Sequence, residues 1–112
     1  ELAAFLARAR AEGKMTLGYG ASTKGNVILQ YCGLTEKEVP LIGEVNPDKF
    51  GAFTPGTRIP IVPEATVRAR KPDYLLVLPW HFRDFIVEKE AAYLRAGGRL
   101  VFPLPKLQVV TE

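Results

Sequence analysis

The sequence predicts an α/β fold: a small doubly wound, Rossmann-like parallel sheet of about five strands in the order 3-2-1-4-5. Three observations carry that prediction. Short apolar runs alternate with helical patterns at a spacing that suits right-handed βαβ units. The run Tyr74 to Leu78 (Tyr-Leu-Leu-Val-Leu) is apolar throughout, as expected of a central strand covered on both faces. A glycine-rich stretch from Gly18 to Asn26 then joins the first strand to a helix, where such folds turn sharply.

Leu2, Phe5, Leu6 and Ala9 fall at i, i+3, i+4 and i+7 and predict an amphipathic helix that stops near Gly13. Lys14 to Leu17 reads as the first strand. Val27, Ile28, Tyr31 and Cys32 form the apolar stripe of the next helix, with Cys32 in the core and Gly33 as its C-terminal cap. Leu41 to Val45 is the second strand, followed by a loop of turn residues from Asn46-Pro47-Asp48 to Thr54-Pro55-Gly56. Arg58 to Val62 reads as a third, short strand, with Pro60 favouring an edge. Pro63-Glu64 opens a helix to about Ala69. After the central strand, Trp80-His81-Phe82 caps its end and a long helix runs from about Arg83 to Ala96. Gly97-Gly98 ends it, Arg99 to Phe102 is the fifth strand, and Pro103-Leu104-Pro105 breaks regular structure.

Composition narrows the function classes. The 112 residues are 47% hydrophobic and 24% charged, the balance of one soluble globular domain with a core of its own. Fifteen basic against 12 acidic residues leave only +3, a dispersed surplus that argues against nucleic acid or an anionic membrane as partner. One cysteine excludes a disulfide scaffold and a multi-cysteine zinc site. No apolar run approaches the roughly 18 residues of a membrane span and no signal peptide is present, so a cytoplasmic location is expected. Because the chain opens at Glu1 rather than Met, it is expected to be a piece of a longer protein.

The glycine stretch is the first candidate site. A strand turning into a helix leaves unpaired N–H groups at one spot, and the helix dipole adds positive charge there, which suits phosphate. Gly18 and Gly20 allow the turn and close approach, Ser22 or Thr23 can cap the helix, and Lys24 adds a full charge. The loop departs from the familiar fingerprints. Thr23 stands where the dinucleotide pattern needs its third glycine, and Asn26-Val27 follow where a Walker A loop needs Lys-Ser or Lys-Thr. The glycines could equally serve close strand–helix packing alone. Glu44, near the end of the second strand, could accept hydrogen bonds from ribose hydroxyls or be a solvated carboxylate. Trp80, His81 and Phe82 lie beside the loop in the predicted order and could stack on a base, whereas Tyr19 could cover a ligand or lie in a domain interface. No nucleophile elbow is present, and His81 is the single histidine, more simply a cap or surface residue than a catalyst.

Several motifs in order resemble a known family: Gly18-Tyr-Gly-Ala-Ser-Thr-Lys-Gly-Asn26, Tyr31-Cys32-Gly33, Asn46-Pro47, Pro55-Gly56-Thr57, Ile59-Pro60-Ile61, Lys71-Pro72-Asp73-Tyr74 and Trp80. They are similar to the C-terminal domain of the sugar C-methyltransferases of deoxysugar biosynthesis, from about Ala9 to Pro105. The resemblance implies residues 1–13 as a connector helix, 14–105 as a nucleotide-sugar-binding domain and 106–112 as a tail. It further implies that methyl transfer, S-adenosylmethionine and structural zinc belong to preceding domains, with no cofactor and no catalytic residue in this chain. The partners implied are a nucleotide-linked sugar and the S-adenosylmethionine-binding domain of the same polypeptide. By that resemblance Gly18, Tyr19, Gly20, Ala21, Ser22, Thr23, Lys24, Gly25 and Asn26, together with Glu44, Trp80, His81 and Phe82, would face the nucleotide sugar. Glu44 stands where the family is expected to have aspartate, and His81 where an amide is expected. Two other readings stay open: a free-standing module for NAD or coenzyme A, and a structural interdomain module that binds nothing small.

Overall fold

A computed structural model describes all 112 residues. Helix α1 (Leu2–Ala11) leads into β1 (Thr16–Tyr19), α2 (Thr23–Tyr31), β2 (Ile42–Glu44), β3 (Ile61–Pro63), α3 (Glu64–Ala69) and β4 (Tyr74–Val77). Then come α4 (Arg83–Lys89), α5 (Ala91–Arg95), β5 (Arg99–Phe102) and β6 (Gln108–Val110), with 3-10 turns at Pro47–Lys49 and Trp80–Phe82. One sheet runs β3-β2-β1-β4-β5-β6. Its first five strands are parallel, as the sequence predicts.

Period-two alternation splits the core into two layers. Tyr74 and Leu76 of β4 face α1 and α2, where Leu2, Leu6, Ala9 and Leu29 pack with Ile42 and Val101. Leu75 and Val77 face the opposite side, where Leu17, Leu100 and Phe102 meet Val67 of α3, Ile86 of α4 and Leu94 of α5. The β4 residues are all buried, in keeping with a strand covered on both faces. Tyr74 meets Phe5 edge-on at 5.1 Å between ring centroids, which ties the first helix to the central strand.

Five local expectations are corrected. The first strand was expected to end at Leu17, but it continues through Gly18 and Tyr19, which pair with Leu76 and Val77. Gly18 is therefore a sheet residue. A Cβ there would stand 2.6 Å from Cγ1 of Ile42, so its small size serves the β1–β2 approach rather than a ligand. The third strand starts at Ile61 rather than Arg58, because Arg58 has φ 58° and its N–H closes a turn on the carbonyl of Thr54. The expected helix from Arg83 to Ala96 breaks at Glu90 (φ −98°, ψ 25°) into α4 and α5. Residues 106–112, expected to be an irregular tail, contribute β6, whose Val109 and Val110 pair antiparallel with Val101 and Leu100.

The fifth correction concerns α2. Its buried face is formed by Gly25 and Leu29, while Val27 is 60% and Tyr31 90% exposed. Ile28 and Cys32 are partly buried against the core. The apolar stripe read from the sequence lies to one side of the true contact face because Gly25, which has no side chain to mark it apolar, is where the helix meets the sheet. A Cβ on Gly25 would run into Cβ of Leu78. Gly25→Ala is expected to destabilise the fold by about 1–3 kcal/mol through overpacking. Urea denaturation checks this, and an unchanged midpoint would contradict the close α2–β4 packing.

Candidate functional site

The carboxyl ends of β1, β2 and β4 open into a cleft of about 590 Å³. Adjacent parallel strands send their chains to helices on opposite faces at this point, so a crevice forms between the outgoing loops. Tyr19, Gly20, Ala21 and Ser22 enter it from β1, Glu44, Val45 and Lys49 from β2, and Pro79, Phe82, Phe85 and Lys89 from β4 and α4. Gly20, at φ +83°, lies against Pro79, where a Cβ would come within 2.6 Å of the ring. Phe82 and Phe85 are 56% and 68% exposed, and Val45 is 63% exposed. They form an apolar rim around a polar floor.

Glu44 organises that floor. Its Oε1 accepts from the N–H of Ala21 at 2.9 Å, and its Oε2 accepts from Val45 at 2.9 Å and Asn46 at 3.0 Å. Lys49 donates to the carbonyl of Ala21 at 2.6 Å and stands 3.9 Å from Glu44 Oε1. Three backbone donors and an ammonium thus already surround one carboxylate, which occupies part of the anion cradle expected in the glycine loop. Ser22 takes another loop donor by accepting from the N–H of Gly25 at 3.0 Å, the capping role expected of it. A carboxylate offers about four acceptor directions, so Glu44 keeps one for a hydroxyl in the cleft.

Behind the cleft lies an ion-pair network. Tyr19 donates its hydroxyl to Glu90 at 2.8 Å, and Arg68 binds both oxygens of the same carboxylate, at 3.0 and 2.7 Å. Arg68 also reaches Glu64 at 2.7 Å, and Lys89 donates to Glu64 at 3.2 Å while lying 5.5 Å from the centre of the Tyr19 ring. Burial alone would raise the Glu90 carboxyl, but the hydrogen bonds from Arg68 and Tyr19 outweigh it and hold it below the ordinary 4.5. Burial, reinforced by Glu90, pushes the Tyr19 hydroxyl up. The hydrogen bond to Glu90 does the same for Arg68. Arg68 and Glu90 stand behind the wall, whereas Tyr19, Glu64 and Lys89 line the cleft itself.

The residues singled out by sequence separate into groups. Tyr19, Gly20, Ala21, Ser22, Glu44 and Phe82 line the cleft. Gly18 and Gly25 are packing residues. Thr23 and Asn26 border a neighbouring hollow of about 280 Å³, reached across Lys49. Lys24 is exposed on the first turn of α2 and lines no cavity. Trp80 and His81 line a different hollow, beside Gln108 and Leu104, which they share with Phe82, whose ring lies 4.3 Å from that of His81. Sequence reasoning missed Lys49, Glu64, Phe85 and Lys89. The signal for Lys49 and Phe85 was position, as residues just past the carboxyl end of a strand face the crevice. No group of three or more His, Cys, Asp or Glu side chains is placed to hold a metal ion. No helix is long and apolar enough to cross a membrane.

Residues 1–105 match the family model described as the C-methyltransferase C-terminal domain. The chain is similar to the C-methyltransferase NovU of Streptomyces niveus, with 38% identity over 101 residues that are 90% of this chain and 24% of NovU. It therefore spans about a quarter of the length of that relative.

The network makes stability pH-dependent with a definite sign. Because the folded pKa of Glu90 is depressed, its contribution is fully present above the ordinary carboxylate value of 4.5 and is lost as pH falls through the lower folded value. Glu90→Gln is expected to cost about 1–3 kcal/mol near neutral pH. That cost should shrink as pH falls below 4.5, because the unfolded chain takes up the proton before the folded one does. Urea melts at pH 7 and pH 3 check it, and an equal cost at both would contradict the depressed pKa.

Proposed function

The chain belongs to the C-methyltransferase C-terminal domain family, and from that membership we propose that it helps bind the nucleotide-linked sugar on which such an enzyme acts. The observation that carries the reading is the chemistry of the cleft: two lysines, two exposed phenylalanines and two carboxylates, Glu64 and Glu44 with its spare acceptor, line one cavity. A nucleoside diphosphate needs those groups. Phe82 and Phe85 offer faces for the base, Glu44 an acceptor for a ribose hydroxyl, and Lys49 and Lys89 positive charge for the diphosphate. The backbone at Ala21 and Ser22 closes the floor. Lys49 and Lys89 each make fixed contacts to their own chain, and an ammonium has three donors, so both keep capacity for a phosphate oxygen.

In this reading the sugar projects from the cleft toward a domain that precedes this one. S-adenosylmethionine, which supplies the methyl group, and structural zinc are bound there. The residues of this chain hold and orient; the base that removes a proton from the sugar lies outside it. Placement in deoxysugar biosynthesis and in the cytoplasm belongs to the same proposal.

The test is a titration with thymidine diphosphate followed by phosphorus NMR. Lys49→Ala and Lys89→Ala are each expected to weaken binding about tenfold through a lost charge-assisted contact. Lys24→Ala is expected to leave it unchanged. Equal affinity for all four proteins, or a loss confined to Lys24→Ala, would overturn the assignment of the phosphate to this cleft.

A further inference from the structure

The side of α2 that the core leaves uncovered is the wall of a second cavity. Val27 and Tyr31 stand one turn apart on it, 60% and 90% exposed, and with Leu104, 40% exposed, they line a groove of about 470 Å³. The groove shares no residue with the cleft at the strand ends. Two residues one turn apart and a leucine across from them form a linear apolar track, the shape that accepts a packed helix or extended segment. The charges at its border, Glu1 and Lys106, are of opposite sign, so the track has no net charge with which to recruit a strongly acidic or basic partner.

Two further facts select an occupant. The family is by its description a C-terminal domain, and the chain spans 24% of NovU, so in a protein built like that relative a far longer polypeptide stands ahead of a domain of this kind. Glu1 and Leu2 line the groove, so a chain continuing ahead of α1 leaves the domain at the groove's own wall. A tethered segment that starts there reaches the track at high effective concentration, without needing tight intrinsic affinity.

We propose that the groove between α2 and residues 103–107 is the docking seat of the polypeptide that precedes this domain, held by apolar contact with Val27, Tyr31 and Leu104. The docked segment extends the helical layer of α1 and α2 on the face away from the cleft-bearing α3 and α4, so it fixes the orientation of the domain without covering the cleft. This surface does not depend on what the cleft binds.

The test compares amide hydrogen exchange in the 112-residue chain and in the full-length protein that carries it. In the full-length protein, residues 27–32 and 103–107 are expected to exchange at least about tenfold more slowly. Tyr31→Asp in the full-length protein should remove that protection, while leaving the unfolding midpoint of the 112-residue chain within error, since the side chain there is exposed. Unchanged exchange at both segments overturns the proposal. So does self-association of the 112-residue chain that protects them, which would make a second copy the occupant, or a natural protein with no folded segment ahead of residue 1. Thymidine diphosphate binding in the Tyr31→Asp chain is expected to match the unmodified chain, which keeps this result separate from the fate of the nucleotide-sugar reading.

Discussion

The architecture of the cleft depends on where the carboxylate of Glu44 finds its donors. A carboxylate at a strand end, 9% exposed, has to be met by hydrogen bonds or expelled to solvent. Here it collects the N–H groups of Ala21, Val45 and Asn46, two loops at once, and draws Lys49 toward the same spot. That clasp joins the exits of β1 and β2 and sets the width of the crevice between them. It also places a negative group where the glycine loop would otherwise take a phosphate. Positive charge for a ligand must therefore come from Lys49 and Lys89 rather than from the loop alone.

The second constraint is steric and lies deeper. Gly18 lets β1 approach Ile42, and Gly25 lets α2 approach Leu78. Two of the three glycines that look like a ligand-binding signature are thus packing devices, and only Gly20 bends the chain at the cleft. The close approach has a consequence on the far side of α2. With the helix seated through Gly25 and Leu29, its larger apolar residues Val27 and Tyr31 are turned out of the core and become surface. One packing decision therefore shapes both the cleft floor and the uncovered groove.

The sheet order and the central strand were legible in the sequence because they rest on hydrophobic runs and on the handedness of crossovers, both local or near-local rules. The features that were not legible are set by tertiary contact. Gly18 reads as loop until its neighbour Ile42 is known, and Arg58 reads as strand until its turn is seen. The break at Glu90 coincides with a side chain that turns inward to Tyr19, 71 residues away in the chain. Ser22, Glu44 and Phe82, singled out by sequence, line the cleft because strand ends and helix caps carry residue-type signals. Lys24 lines no cavity: sequence shows that a lysine is near a helix start but not which way the helix turns it. Lys49, Glu64 and Lys89 come from three separate segments, and only the fold brings them to one wall.

The central claim is that a nucleoside diphosphate lies over the Glu44 clasp, between the exits of β1, β2 and β4. Amide NMR titrations of the 112-residue chain with thymidine diphosphate, NAD, coenzyme A and S-adenosylmethionine in parallel test it most directly. The account predicts shifts at Ala21, Ser22, Val45, Lys49, Phe82 and Phe85 with thymidine diphosphate and none of comparable size with S-adenosylmethionine. Shifts confined to Lys24, Trp80 and His81, larger shifts with NAD or coenzyme A, or no shift at millimolar thymidine diphosphate would contradict it.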